Sequence, residues 1–141
     1  MASEGSRTAT WLQSALASLS AGDAWRNVAP PNQDITAPYA IYIPYPGGLG
    51  DLRGVGARRI WSERYWLIKA VGPASQEAAV FALADAIDAR LEHALHEAAG
   101  ADCLMLSCIR IDDYGPVDEI VGAATWLNVG GIYRIRVKFN S

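Results

Sequence analysis

The chain has 141 residues, 51% of them hydrophobic and 19% charged, with a net charge of -3 and a mean hydropathy of +0.08. That length suits one domain, residues 1–141, able to bury a core without metal or disulfide staples. The composition excludes a disordered chain, and the acidic balance excludes bulk nucleic-acid binding, which needs a basic excess to attract phosphate.

The first expected element is a helix over residues 8–19, where Trp11, Leu12, Ala15, Leu16 and Leu19 form one stripe. Thr8 would cap its start and Gly22 would stop it. Pro30 and Pro31 then demand a turn-rich connector, and residues 38–45 read as a strand. Between residues 46 and 56 glycine is too frequent for regular structure, which predicts a long glycine-rich hairpin loop. A central strand over residues 59–71 is apolar on both faces. Ser75 would cap a long helix reaching Ala99, with Val80, Ala84, Ile87, Leu91 and Leu95 as its stripe and Gly100 as its stop. Residues 104–112 read as a strand, 113–118 as a turn, 120–127 as a strand, and 128–131 as a hairpin turn into a closing strand. Helices segregated from such strands predict an α+β fold: a mainly antiparallel sheet of four to five strands packed against two helices.

The closing strand is the most telling segment. Tyr133, Ile135, Val137 and Phe139 fall on one side of a period-two ribbon, and Arg134, Arg136 and Lys138 on the other. The apolar side belongs in a core. The cations are either hydrated or face acidic groups.

Chemistry-bearing patterns are sparse. His93 and His96 sit three apart beside Glu92 and Glu97, but they lack the four-residue offset of the zinc-protease motif and read as solvated histidines. The glycine loop matches neither dinucleotide nor P-loop fingerprints. No nucleophile elbow exists, so no enzyme, catalytic residue, cofactor or metal is expected. Cys103 and Cys108, five apart in one strand, would face opposite sides as buried thiols. Asp112, Asp113, Asp118 and Glu119 form an acidic group, while Arg53, Arg58 and Arg59 make the glycine arm basic. Trp61, Tyr65, Trp66, Trp126 and Tyr133 could in principle stack bases, but aromatic stripes on strands are ordinarily core. No run reaches the ~18 apolar residues of a membrane span, and the opening residues carry no signal-peptide pattern, so a reducing cytoplasm without membrane contact is expected.

As a whole, the layout resembles the tail terminator proteins of long-tailed bacteriophages, also called tail completion or tail-to-head joining proteins. The carrying segments are Thr36-Ala37-Pro38-Tyr39-Ala40-Ile41-Tyr42, the run from Tyr65 to Gly72 leading into residues 75–91, and the run from Trp126 to Val137. The resemblance implies a virion protein assembled in the host cytoplasm: a homo-hexameric ring that caps the tail tube, stops its growth and receives the head connector or stopper. Double-stranded DNA would pass through the lumen without sequence-specific contact. The glycine loop and its arginines depart from that pattern. Arg134, Arg136, Lys138, Arg53, Arg58 and Arg59 are then expected to meet acidic groups of neighbouring protein, with Asp112, Asp113, Asp118 and Glu119 as the complementary surface. The alternatives are another neck or head-to-tail adaptor, or a small α+β ligand-binding or metal-dependent enzyme domain.

Overall fold

The computed structural model of the protein describes residues 4–17, 19, 24–26, 38–45, 51–53, 59–92, 94, 97–98, 103–121 and 123–139. In chain order these form helix α1 (Glu4–Ala17), strands β1 (Ala24–Arg26), β2 (Tyr39–Tyr45), β3 (Asp51–Arg53) and β4 (Arg59–Pro73), and a 3-10 turn (Ala74–Gln76). Helix α2 (Glu77–Glu92) and strands β5 (Glu97–Ala98), β6 (Cys103–Val121) and β7 (Ala124–Phe139) complete them. The architecture is α+β. One sheet has the order β1-β2-β4-β7-β6-β5, with β3 added to β4. Its long strands β2, β4, β7 and β6 are antiparallel, and they make the four-stranded frame. The remaining strands are two or three residues long, too short to leave a periodic signature.

Strand register assigns the two faces of the sheet. Trp66 lies opposite Tyr133, and Ile68 opposite both Tyr42 and Gly131, all on the side covered by helices. Against them α1 buries Thr8, Trp11, Leu12, Ala15 and Leu16, and α2 buries Val80, Leu83, Ala84, Ile87 and Leu91. Each fully buried Leu or Ile contributes about 1.5–3 kcal/mol. Polar ties fix the helix position: the Tyr42 hydroxyl donates to Gln13 Oε1 (2.6 Å), and the Gln13 amide donates to the Ala24 carbonyl (2.9 Å).

Several local expectations are corrected. Helix α1 begins at Glu4, so Thr8 is no cap; it is a fully buried residue inside the helix, on the stripe of Leu12 and Leu16. Asp51–Arg53 pairs with β4 within the segment expected to be irregular. The rest of the glycine loop lies outside the described residues, as do Gly22, Pro30, Pro31, Leu95 and Gly100. Ser75 sits inside the 3-10 turn, which starts after Pro73 without a side-chain cap. Helix α2 stops at Glu92 instead of reaching Ala99, because Glu97 and Ala98 pair with Met105 and Leu104 at the sheet edge.

The largest correction concerns the C-terminal hairpin. Neither 113–118 nor 128–131 is a turn: β6 runs 19 residues, β7 runs 16, and the chain reverses between Val121 and Ala124. The turn-forming residues are absorbed as irregularities of β6, whose register shifts at Met105/Ser107, Arg110/Asp112 and Tyr114/Val117. Gly115 takes a left-handed φ of +82° there, which favours glycine. In β7 the two glycines permit close approach. A Cβ on Gly130 would strike the Ile68 carbonyl oxygen, and one on Gly131 would lie 2.6 Å from Arg110 Nε.

Candidate functional site

The two-sided closing strand is present as expected, and its cations differ from one another. Tyr133, Ile135 and Val137 are each 1% exposed beneath the helices. On the other face Arg136 lies directly opposite Glu63 of β4 and donates to its Oε2 through Nε (3.2 Å) and a terminal nitrogen (2.8 Å). Glu63 is itself buried, so this pair is internal. Arg134 is half-buried, and its Nε is buried with no hydrogen-bond partner among the described residues. Lys138 is exposed. The register places Tyr45, Tyr65, Arg134 and Ile109 in one row across β2, β4, β7 and β6. Tyr45 and Ile109 are 43% and 40% exposed.

Arg53 and Arg59 are register partners in the β3–β4 pairing, which brings these two positions to the same end of the sheet as Lys138. Their side chains, and all of Arg58, lie outside the described residues. The same holds for His93, His96 and the side chains of Cys103 and Trp61.

The acidic group stands at the opposite end. Asp112, Asp113, Asp118 and Glu119 are all exposed along β6. Asp112 accepts from the Asp113 backbone N–H (2.9 Å), and Asp113 pairs with Arg110 (2.9 Å). Four of the five large apolar side chains that are exposed among the described residues, Ile109, Ile111, Val117 and Ile120, also lie on β6. Beyond Met105 the outer edge of β6 has no strand partner among the described residues. A long, partly apolar edge of this kind normally needs protection from other chains.

Beneath the hairpin lies a network that sequence inspection missed. The Arg110 guanidinium meets Asp88 (3.3 Å), Asp113 and the Gly130 carbonyl (2.8 Å), and stands 6.0 Å over the Tyr133 ring. The Tyr133 hydroxyl donates to the same Asp88 oxygen (2.9 Å), and the Arg110 backbone N–H donates to Glu92 (2.5 Å). Burial pulls against the Arg110 charge, but Tyr133, Asp88 and Asp113 more than offset it and hold its proton tightly. Burial, reinforced by Asp88, pushes the Tyr133 hydroxyl up. The helix C-terminus is thereby bolted to the bulged strand. The one available signal was Gly131, which makes room for Arg110.

A second network closes the other side of the core. Glu97 accepts two hydrogen bonds from Arg90 (2.7 and 3.0 Å) and one from Trp11 Nε1 (3.2 Å), with Arg90 5.8 Å over the Trp11 ring. Arg90 chiefly, with help from Trp11, holds the Glu97 carboxyl below its ordinary range. On the open face Lys69 lies over Tyr114 at 5.4 Å; burial lowers its pKa, while Glu119 pulls the other way. Tyr39 and Trp126 meet nearby as a tilted ring pair with centres 6.3 Å apart, beside Ile41 and Val71. Trp66 and Tyr133 are core residues, so the five aromatics do not form a common exposed platform.

Among the described residues, no group of three His, Cys, Asp or Glu could hold a metal ion, and no helix is long and apolar enough to cross a membrane. Cys108 is a free, buried thiol pushed up by burial and by nearby Glu92 and Asp88. No protein-family model matches the chain, and none of the curated proteins is similar to it.

Proposed function

We propose that this chain is a structural subunit of a long-tailed phage virion, a tail-terminator-like protein. Copies form a ring on the last layer of tail-tube protein, stop tube growth and present a joining surface to the head connector. DNA passes through the lumen unread. The observation that carries this reading is the concentration of exposed apolar side chains on β6, a long edge strand without a strand partner among the described residues. An assembly subunit gains by burying such an edge, whereas an isolated domain risks aggregation through it. The resemblance in element layout supports the assignment to the tail rather than to another ring.

Electron microscopy of particles lacking the chain tests the proposal. Overlong tails without heads are expected. Tails of normal length that fail to join heads would point instead to another neck adaptor, and normal joined particles would refute both.

A further inference from the structure

The register polarises the sheet along its strands. Residues 112–133, the distal part of the hairpin, contain four carboxylates and no Lys or Arg, whereas 134–138 contain three cations and no acid. Trp126 pairs with Glu119 at one end and Lys138 with Trp61 at the other, roughly 40 Å apart along a straight strand. Asp113 is paired with Arg110, Arg136 with Glu63, and Lys69 stands near Glu119, but Asp118 and Glu119 lie too far from Lys138 to act on it through water, where screening acts over about 10 Å.

The two ends match in a second respect. The acidic end exposes Ile120 (79%) and Val117 (41%), while the basic end exposes Tyr45 and Ile109 in the row that contains Arg134. Charge and apolar surface are thus each complementary between opposite ends of one molecule.

We infer that copies of this chain join head to tail, the acidic hairpin end of one copy seated on the basic end of the next. Asp118 and Glu119 face Arg134 and Lys138 of the neighbouring copy, and Ile120 packs near Tyr45. Such a heterologous contact leaves one free end of each sign until the ring closes. Closure into a ring rests on the function proposed above; the end-to-end contact itself does not.

Charge exchange in the full-length chain is the test, with assembly measured by sedimentation at low ionic strength. One variant carries Asp118→Lys with Glu119→Lys, and the other Arg134→Glu with Lys138→Glu. Wild type should form species larger than a dimer that dissociate in high salt, while each variant alone should need at least about tenfold more protein to assemble. Mixing the two variants should restore assembly, because each supplies the end the other lacks. Lys138→Glu alone, at an exposed site, serves if the Arg134 change impairs folding. A monomeric wild type, an assembly that stops at two copies, or variants that assemble unchanged or fail to rescue each other would overturn the inference. Rescue together with normal tails in particles lacking the chain would sink only the terminator reading; overlong tails with unaffected variants would sink only the head-to-tail contact.

Discussion

The two faces of the sheet are held by different physics. The helix-covered face is dry, with Leu12, Leu16, Ile68, Leu91 and Met105 fully buried around Trp66 and Tyr133. The opposite face has a small apolar cluster, Tyr39, Ile41 and Val71, with Leu67 and the row of Tyr45 and Ile109 beside it, and it carries charge both paired, as in Arg136 with Glu63, and exposed, as at Lys138. Stability should therefore sit on the first face and recognition on the second. Neighbouring residues of β4 separate them: Ile68 points into the core and Leu67 to the other side, half-buried. Ile68→Ala should cost about 2–5 kcal/mol through lost burial plus a cavity, and Leu67→Ala about 1 kcal/mol. Urea midpoints read both, and equal losses would break the contrast.

The cations of β7 sharpen it. Glu63→Ala would leave Arg136 without the carboxylate it grips, in a site where Glu63 is 9% exposed, and should cost about 2–3 kcal/mol. Lys138→Ala, one step along the same face, should change stability by less than about 0.5 kcal/mol. A smaller effect tests the polar bolt beneath the hairpin. Tyr133→Phe keeps the buried ring but removes the hydroxyl bonded to Asp88, so a loss of about 1 kcal/mol is expected by the same denaturation measurement. Asp88 keeps Arg110 as a partner, which limits the damage.

Alternation and helical spacing made the frame legible. Trp11, Leu12, Ala15 and Leu16 of α1, Val80, Ala84, Ile87 and Leu91 of α2, and the two-faced β7 all follow from period alone. Local turn chemistry misled. Asp113, Gly115 and Pro116, and again Gly130 and Gly131, look like turns in sequence, yet long-range pairing with β7 and β4 absorbs them into strands. Their glycines serve a left-handed bulge and close backbone approach, needs that only the tertiary partner defines. The α2 stripe overran for the same reason: Leu91 to Leu95 keeps helical spacing, but Glu97 is drawn to Arg90, Trp11 and the edge of β6. The cationic row was legible as a row. That Arg136 is satisfied inside the molecule was not, because Glu63 lies 73 residues away and joins it only through strand register.

Glu97 gives the smallest effect and the one with a sign to check. Its carboxyl has an ordinary pKa of 4.5 and is held lower in the folded chain, chiefly by Arg90. A depressed folded value means the contribution is fully present above about pH 4.5 and is lost as pH falls through the folded pKa. The side chains of Arg90 and Glu97 are 32% and 34% exposed, so solvent screens the pair and the contribution stays modest. Glu97→Gln should accordingly be less stable than wild type near neutral pH, with the gap narrowing as the solution is acidified below pH 4.5. Unfolding midpoints of both chains across that range decide the matter. A gap that stays constant would mean Glu97 acts only through its neutral hydrogen bonds and its strand pairing with Met105, and that the helix-side network, like the core around it, draws nothing from charge.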